Sequence, residues 1–380
     1  MQKDNSTHLQ QFKSKAKALP YRNLFFLTIF SELSLRNKSM SELRQNRATK
    51  EWIILATERS KRPHQFEFKK MKRKKLPPYD PDCPFCAGNE GKTPQEIWSK
   101  REKGKWKVRV IPNKFPALVF KEEFLRETEG FFIMMDGVGR HEVLIESQKH
   151  NRSLATLALK DLEEVCLAYW ERYLELKKSD KRIKTIIIFR NHGLSAGTSL
   201  VHPHSQIIAL PLVPTQIRHL LEEAMRYFDD HGSCVFCDMI KEEISFEKRV
   251  IYQDKDFLAF HPFAPRVPFE TWILPFSHNA AFGNISPAQA KKIARPLKSV
   301  LGELYKKLDD PDYNLIFRTA PLKDAEEDYY HWYIQILPRL STPAGFELGS
   351  GVYITTQMPE VTAGFIRGGK QKLEVKNKTI

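Results

Sequence analysis

The sequence has little cysteine and no long hydrophobic run, and both shortages exclude classes of protein. Five cysteines among 380 residues are too few for the disulfide framework of a secreted scaffold, and four of them form two Cys-x-x-Cys pairs. The apolar run at residues 24–30 is far too short to span a bilayer, and it lacks the small-residue cleavage site of a secretory signal. The sequence therefore predicts a cytoplasmic protein in a reducing compartment, with no membrane partner.

The remaining composition indicates a globular chain that handles anions. Apolar residues make up 41% and charged residues 28%, and the length suits two ordinary domains or one large one. The net charge of +15 favours a phosphate-rich substrate. A zinc-ribbon protein that binds nucleic acid is an alternative suggested by the cysteine pairs and the pI near 9.4, but no basic helix with interleaved aromatics supports it. Nucleic acid is therefore not predicted as a partner.

The two ends of the chain carry no chemical motif. Residues 1–39 are predicted to be an N-terminal extension, either disordered or an over-read start, with Met40 opening the folded part. Residues 369–380 are predicted to be a basic tail. The chemistry is expected between these ends.

Periodicity predicts an α+β fold. Residues 153–178 have helical apolar spacing, whereas 185–191 and 206–212 read as strands. The second half repeats this order, with a helix introduced by Ser286 and with Gln289 at capping-box spacing. We expect antiparallel sheets with helices packed on one side.

An internal repeat divides the chain into two related halves, 40–214 and 215–368. Each half begins with a C-x-F-C segment, and a glutamate then precedes a histidine by eight residues in both. A further histidine follows after 52 residues in one half and 53 in the other. The matching residues are Glu142 with Glu270, His150 with His278, and His202 with His331. The repeat predicts two tandem halves related by a pseudo-twofold axis.

Each half supplies two cysteines and two histidines. Two thiolates and two imidazoles fill a tetrahedral zinc site completely, so no position is left for a catalytic water and the metal is predicted to be structural. The predicted ligands are Cys83, Cys86, His150 and His202, then Cys234, Cys237, His278 and His331. No organic cofactor is predicted.

The motif HPHSQ, at residues 202–206, carries the predicted chemistry. Strand alternation puts His202, His204 and Gln206 on one face. If His202 binds zinc, His204 is free to attack phosphorus and hold a phosphoramidate. The Gln206 amide and the backbone amides of loop 193–199 can donate to phosphoryl oxygens as charge builds. The alternative is that both histidines belong to a second metal cluster.

The second half provides an internal comparison for this motif. It has HWYIQ at residues 331–335, so His331 and Gln335 persist while Tyr333 occupies the position of the nucleophile. One catalytic site per chain is therefore predicted.

These segments resemble the galactose-1-phosphate uridylyltransferase family, a branch of the histidine-triad superfamily that also includes ADP-glucose phosphorylases. The resemblance spans about Met40 to Gly368 and includes CPFC, NKFPAL, HPHSQ, CVFC, HWYIQILPR and GFELGSGVYI. It implies histidine-triad-like halves and a ping-pong reaction in galactose metabolism. His204 takes UMP from UDP-glucose, glucose 1-phosphate leaves, and galactose 1-phosphate accepts the UMP. It also implies a homodimer.

The same resemblance assigns further residues to substrate binding. Gln206 would hold the phosphoryl group, Asn191 and Ser199 would line its pocket, and Asn113 would contact the nucleoside. The basic pair Arg59 and Arg62 would face the nucleotide phosphates, and Phe346 and Glu347 would bind the hexose.

The chain departs from the best-known uridylyltransferases at Tyr333 and at the second cysteine pair. The loop at 191–199 and the GFELGSGVYI segment look more like ADP-glucose phosphorylases and like shorter uridylyltransferases of bacterial type. An ADP-glucose phosphorylase or related adenylyltransferase is therefore the closest alternative, and a plain hydrolase is another. The identity of the base, the sugar and the acceptor stays open at this level.

Overall fold

The computed structural model describes residues 41–61 and 75–368. The predicted extension, Arg62 and the predicted basic tail lie outside the described residues. Within that part, fifteen strands and seven α-helices form an α+β fold. The predicted fold class is therefore confirmed.

The strands are numbered in chain order. They are β1 (Glu42–Gln45), β2 (Trp52–Leu55), β3 (Trp98–Glu102), β4 (Lys105–Pro112), β5 (Arg126–Glu129), β6 (Phe132–Met135), β7 (Arg140–Ile145), β8 (Thr185–His192), β9 (His204–Leu210), β10 (Val250–Gln253), β11 (Phe257–Phe260), β12 (Thr271–Pro275), β13 (Tyr313–Arg318), β14 (Tyr333–Pro338) and β15 (Tyr353–Thr355).

The helices are numbered in the same way. They are α1 (Leu159–Ser179), α2 (Thr215–His231), α3 (Val235–Phe246), α4 (Pro287–Lys292), α5 (Ala294–Lys307), α6 (Gly345–Ser350) and α7 (Pro359–Ile366).

Ten strands form one continuous antiparallel sheet. Its spatial order is β3-β4-β7-β9-β8-β13-β14-β12-β11-β10, so each half contributes five strands in mirrored order. The two halves meet where β8 pairs with β13, with Tyr313 opposite His192 and Ile316 opposite Phe189. This arrangement has the pseudo-twofold relation that the repeat predicted, but the halves share a single sheet.

Helix α1 forms because its apolar residues fall on one face. Leu162, Val165, Cys166, Tyr169 and Tyr173 recur at intervals of three or four residues and are all buried. Each such side chain contributes about 1.5–3 kcal/mol when it leaves water. The helix packs with α4 and α5 against one face of the sheet, and this layer forms the largest hydrophobic core.

The predicted capping box at the start of α4 is present. The Ser286 hydroxyl accepts a hydrogen bond from Gln289 N–H at 3.2 Å, and Gln289 Oε1 accepts one from Ser286 N–H at 2.8 Å. Two backbone donors that the helix leaves unpaired are satisfied in this way.

The other face of the sheet is covered differently in each half. In the first half, Phe85 and the cysteines beside it pack on Ile111 and Val143. In the second half, Leu221 of α2 and Phe236 of α3 pack against the strands, so that this part of the sheet has helices on both faces. The expectation of helices on one side only is therefore wrong for the second half, because two amphipathic helices follow the first half directly.

Two small sheets complete the described structure. Strand β2 pairs with β1 and, in parallel, with β15, which joins the start of the folded part to its end. Strands β5 and β6 form an exposed hairpin. The predicted helix over 153–178 begins at Leu159, because Ser153 and Thr156 form a hydrogen-bonded turn before it.

Candidate active site

Two groups of metal-ligand side chains lie in the described part of the chain, one in each half. Within each group, the four ligand atoms lie within 4.8 Å of one another. The groups are Cys83, Cys86, His150 and His202, and Cys234, Cys237, His278 and His331. The structure thus brings the eight residues together in the two sets that the repeat predicted.

The atomic separations fit a tetrahedral metal ion. Cys86 Sγ lies 3.6 Å from Nδ1 of both histidines in its group. Cys237 Sγ lies 3.3 Å from His278 Nδ1 and 3.5 Å from His331 Nδ1. Zinc bonds of about 2.3 Å to sulfur and 2.0 Å to nitrogen separate these atoms by about 3.5 Å in a tetrahedron. Both clusters therefore have the donor set and the spacing for zinc.

Neighbouring backbone groups orient the first cluster. His202 Nε2 lies 2.7 Å from the Ser147 carbonyl oxygen, to which it donates, so Nδ1 is the nitrogen that faces the cluster. Asp80 N–H donates to Cys86 Sγ at 3.3 Å. The cluster ties the CPFC segment to the loop that leads into β9.

His204 is the first residue of β9, and its ring is held in one tautomer. Its Nδ1 lies 2.8 Å from the carbonyl oxygen of His202. A carbonyl oxygen only accepts, so Nδ1 carries the proton and Nε2 keeps its lone pair. His202 lies two residues before the start of the strand, and its ring and the ring of His204 both contact Phe85. The loop carries His202 to the metal cluster and leaves His204 on the sheet.

Burial keeps both histidines neutral. It lowers the pKa of His202 to about 4 and also lowers the pKa of His204, although Glu146 and the His202 carbonyl act in the opposite direction. A neutral imidazole is the form that attacks phosphorus. Phe85, between the two cysteines of CPFC, packs edge-on against the His204 ring with centroids 5.4 Å apart.

A buried ion pair supports the strand behind His204. Arg190 Nε lies 2.9 Å from Glu146 Oε1, and the two side chains are 2% and 0% exposed. Ser205 Oγ donates to the same carboxylate at 2.5 Å, and Tyr169 OH lies 2.7 Å from Ser205 Oγ. Because Ser205 adjoins His204, this network fixes the strand that carries His204.

Replacing Arg190 with methionine is expected to lower the free energy of unfolding by about 3–5 kcal/mol, because Glu146 is left buried without its partner. The matched control is Lys306→Met. Lys306 contacts Glu303 at 3.2 Å, and the two side chains are 70% and 31% exposed, so its loss should cost less than about 1 kcal/mol. Urea denaturation measures both values. Equal losses in the two variants would contradict a stabilising role for the buried pair.

The second half of the chain holds the loop that follows β8. Asn314 Nδ2 donates at 2.9 Å both to Asn191 Oδ1 and to the Ala196 carbonyl oxygen. Asp312 accepts from the Ser195 backbone N–H at 2.8 Å. Ser199 lies exposed near the end of the same loop.

The register of β8 and β9 places Asn191 beside His204. Phe189 pairs with Gln206, and continuing that register by two residues brings Asn191 opposite His204. The side chains of paired residues point to the same face of a sheet. Asn191, His204 and Gln206 therefore share a face.

Gln206 contacts a histidine that the sequence analysis missed. Gln206 Oε1 lies 2.7 Å from His141 Nε2, and Asn113 Nδ2 lies 3.1 Å from the same nitrogen. The structure thus brings the predicted nucleoside and phosphoryl contacts together around His141. Alternation in β7 puts His141 on the same face as Val143, which pairs with Gln206. This alternation along β7 is the sequence pattern from which the position of His141 could have been predicted.

The corresponding place in the second half is a small pocket of about 190 Å³. Arg318 Nε donates to Gln335 Oε1 at 2.9 Å, and Gln335 Nε2 donates to Glu270 Oε1 at 2.7 Å. Tyr333 is buried and stacks on Trp272 with ring centroids 4.5 Å apart. The histidine that lines the pocket, His219, comes from α2 and does not stand at the position of His204. The Gln335 amide is used at both ends, and the Glu270 carboxylate disfavours a phosphate.

The strand registers correct one pair of matching residues. Gln206 pairs with Val143, whereas Gln335 pairs with Trp272. Counting two residues back from each partner makes His141 the counterpart of Glu270. The equal spacing that matched Glu142 to Glu270 is therefore misleading, because the first half has one more residue before its ligand histidine.

Three predicted substrate residues lie next to the three-stranded sheet of β1, β2 and β15. Arg59 is half-buried in a turn after β2. Phe346 is 52% exposed in α6, and Glu347 Oε2 accepts from Ala344 N–H at 3.0 Å. Among the described residues, no hydrogen bond or ion pair joins these side chains to His204.

Comparison with known proteins identifies the family. The sequence model described as "Galactose-1-phosphate uridyl transferase, N-terminal domain" matches residues 31–214. A galactose-1-phosphate uridylyltransferase of Thermotoga maritima is 29% identical and aligns with 86% of this chain and 98% of its own. An ADP-glucose phosphorylase of Arabidopsis thaliana is 35% identical over 88% of this chain and 94% of its own. The chain belongs to the galactose-1-phosphate uridylyltransferase family.

A solved structure from this family has the same fold. The crystal structure of an ADP-glucose phosphorylase from Arabidopsis thaliana with bound ADP-glucose superimposes with a TM-score of 0.74 at 32% identity, covering 88% of this chain and 99% of that one. Membership confirms the predicted family, and it supports hexose-1-phosphate uridylyl transfer as the predicted type of reaction. The relatives carry two enzyme names, so the family alone leaves the nucleotide and the acceptor undefined.

The fold also bears on the membrane prediction. None of the helices in the described part combines the length and the apolar composition that a bilayer crossing needs.

Proposed function

We propose that this chain is a UDP-glucose–hexose-1-phosphate uridylyltransferase that works through a uridylyl adduct on His204. In this reaction UDP-glucose and galactose 1-phosphate yield glucose 1-phosphate and UDP-galactose. The observation that carries the proposal is the neutral His204 ring beside the amides of Gln206 and Asn191: its Nδ1 is bound to a carbonyl oxygen, and no hydrogen bond among the described residues uses its Nε2. The second half lacks this combination.

The reaction proceeds in two displacements. His204 Nε2 attacks the α-phosphorus of the nucleotide sugar, and the bond from phosphorus to the departing hexose 1-phosphate breaks. A phosphate oxygen of the acceptor then attacks the same phosphorus, and the bond to His204 breaks. Negative charge builds on the non-bridging oxygens in both steps. Side-chain amides of Gln206 and Asn191 and backbone amides of the loop at 193–199 stabilise that charge.

The remaining substrate contacts are part of the same proposal. Asn113 would bind the nucleoside, and Ser199 the phosphoryl group. Arg59 and Arg62 would face the nucleotide phosphates, and Phe346 and Glu347 would bind the hexose. Phe346 and Glu347 lie in α6, next to the three-stranded sheet of β1, β2 and β15, and no hydrogen bond among the described residues joins them to His204. We further propose that the two halves divide near residue 214. We also propose that the chain forms a homodimer, and the mass measured by sedimentation analysis tests this.

Both Cys2His2 clusters are proposed to bind zinc as a structural ion. Their Sγ to Nδ1 distances of 3.3–3.6 Å support this assignment. A zinc ion with four protein ligands joins chain segments and adds folding free energy. In the first half, the cluster residues hold Phe85 and His202 next to the nucleophile.

ADP-glucose phosphorolysis is the second candidate. The 35% identical relative bears that name, and one solved structure has ADP-glucose bound. The histidine chemistry is the same in this reaction, but AMP is transferred and inorganic phosphate is the acceptor.

Intact-protein mass spectrometry separates the two candidates. The protein is mixed with UDP-glucose or with ADP-glucose, and galactose 1-phosphate or inorganic phosphate is then added. We expect a gain of one UMP with UDP-glucose and its loss on addition of galactose 1-phosphate. A gain of AMP that inorganic phosphate removes would assign the chain to the second candidate. An adduct lost in water alone would indicate hydrolysis, and no adduct with either donor would contradict both proposals.

A further inference from the structure

His141 is outside the motifs that assign the chemistry, yet it is hydrogen-bonded to one of the proposed catalytic side chains. We propose that His141 is a positioning residue for nucleotidyl transfer. It fixes the Gln206 amide so that the nitrogen faces the phosphoryl group on His204 and the oxygen faces away. The inference rests on the proposed function and adds the residue, His141, that orients the hydrogen-bond donor Gln206.

The tautomer of His141 follows from its backbone contact. Ala117 N–H lies 3.1 Å from His141 Nδ1. A backbone N–H only donates, so Nδ1 is the acceptor and the neutral ring carries its proton on Nε2. Nε2–H then donates to Gln206 Oε1 at 2.7 Å. The histidine is thus a donor with a defined direction.

The adjacent Asn113 does not compete for this proton. Asn113 Oδ1 accepts from Phe115 N–H at 2.9 Å, which turns its Nδ2 toward His141. An amide nitrogen is a donor and cannot accept from Nε2–H. Gln206 Oε1 is therefore the acceptor for His141.

The occupied oxygen decides which end of Gln206 is available. A glutamine amide has an acceptor end and a donor end of nearly equal shape. With Oε1 bound to His141, the two protons on Nε2 are left for another acceptor, and no hydrogen bond within the described residues uses them. Without His141, the amide can rotate and present oxygen to the phosphoryl group, where it repels the charge.

The second half shows the opposite orientation of the matching glutamine. Glu270 occupies the register position of His141. A carboxylate only accepts, so Gln335 turns its Nε2 to Glu270 at 2.7 Å and its Oε1 to Arg318 at 2.9 Å. One chain therefore contains two glutamines in equivalent positions with reversed amides. In the first half the donor His141 faces the oxygen of Gln206, and in the second half the acceptor Glu270 faces the nitrogen of Gln335.

The test exchanges the direction of the hydrogen bond. His141→Glu places an acceptor beside Gln206, as in the second half, whereas His141→Gln places an amide donor near the position of Nε2. Rates of single-turnover adduct formation are measured with the nucleotide sugar that labels the wild type. We expect His141→Glu to slow the step about 10²-fold or more, the loss typical of one oxyanion donor. His141→Gln should stay within about tenfold of wild type, and donor affinity should change much less than the rate in both.

A double-mutant cycle distinguishes positioning from a general structural role. In a Gln206→Ala background there is no amide to orient, so adding His141→Glu should slow the step by less than about threefold. Unfolding temperature and zinc content are measured for each variant.

Three results would overturn the inference. The first is adduct formation at the wild-type rate in His141→Glu. The second is an equal loss in His141→Glu and His141→Gln. The third is an undiminished loss in the Gln206→Ala background. Failure of the wild type to form any adduct is a separate result, which would overturn the proposed function and this role together.

Discussion

Replacing His204 with glutamine is expected to abolish the nucleotidyl adduct and to lower turnover by about 10⁴-fold or more. Glutamine keeps a polar side chain of similar reach but has no nucleophilic nitrogen, so the first displacement cannot begin. Unfolding temperature and zinc content should stay close to wild type, because the ring makes one hydrogen bond, to a backbone carbonyl. Intact mass and steady-state turnover measure the loss.

The matched control is Tyr333→Phe. Tyr333 occupies the nucleophile position of the second half, where it is buried and stacked on Trp272. Removing its hydroxyl should leave adduct formation within about twofold of wild type, because a buried phenol takes the place that a histidine has in the first half. An adduct that persists in His204→Gln would contradict the proposed nucleophile, and a large loss in Tyr333→Phe would contradict one catalytic site per chain.

Substitutions in the two Cys2His2 clusters are expected to lower stability in both cases but to abolish adduct formation only in the first cluster. Cys86→Ala should release one zinc ion and lower the free energy of unfolding by more than about 4 kcal/mol, a part of the 10–16 kcal/mol with which structural zinc binds. Adduct formation should also be lost, because Phe85 and His202 leave their places beside His204. Cys237→Ala should release the other zinc ion and cost stability, yet it should leave adduct formation measurable. His331→Ala should behave as Cys237→Ala does.

Metal analysis, denaturation and intact mass on the same samples check this prediction. Cys166→Ala is the control, because it removes a buried thiol that belongs to neither cluster. It should cost less than about 2 kcal/mol and retain two zinc ions. Retention of two zinc ions in Cys86→Ala would contradict the ligand assignment. Equal loss of adduct in Cys86→Ala and Cys237→Ala would contradict the separate role of the first cluster.

Local patterns account for what the sequence predicted well. Three features depend on residues close in the chain: the capping box at Ser286, the buried face of α1, and strands β8 and β9 on either side of the loop at 193–199. The Cys-x-x-Cys pairs and HPHSQ carry their chemistry in residue type and short spacing. The resemblance to a family also rests on such short motifs, so the family was predicted before any contact was known.

Contacts between distant strands were not predictable in the same way. Sheet order and strand register arise from packing over the whole molecule, and a shift of one residue reverses which side chains share a face. The equal spacing of Glu142 and Glu270 therefore matched the wrong pair, and His141 went unnoticed. The loop that carries Ser195 likewise depends on Asp312, which lies in the other half.

By itself, the sequence determined the repeat, the two ligand sets, the candidate nucleophile and the family, because each of these is written in residue identity and spacing. Only the tertiary structure decided that the halves share one sheet, that two helices cover the second half on its other face, and that His141 faces Gln206 where Glu270 faces Gln335. The physical reason is that hydrogen bonds between side chains depend on the register of strands that lie far apart in the chain.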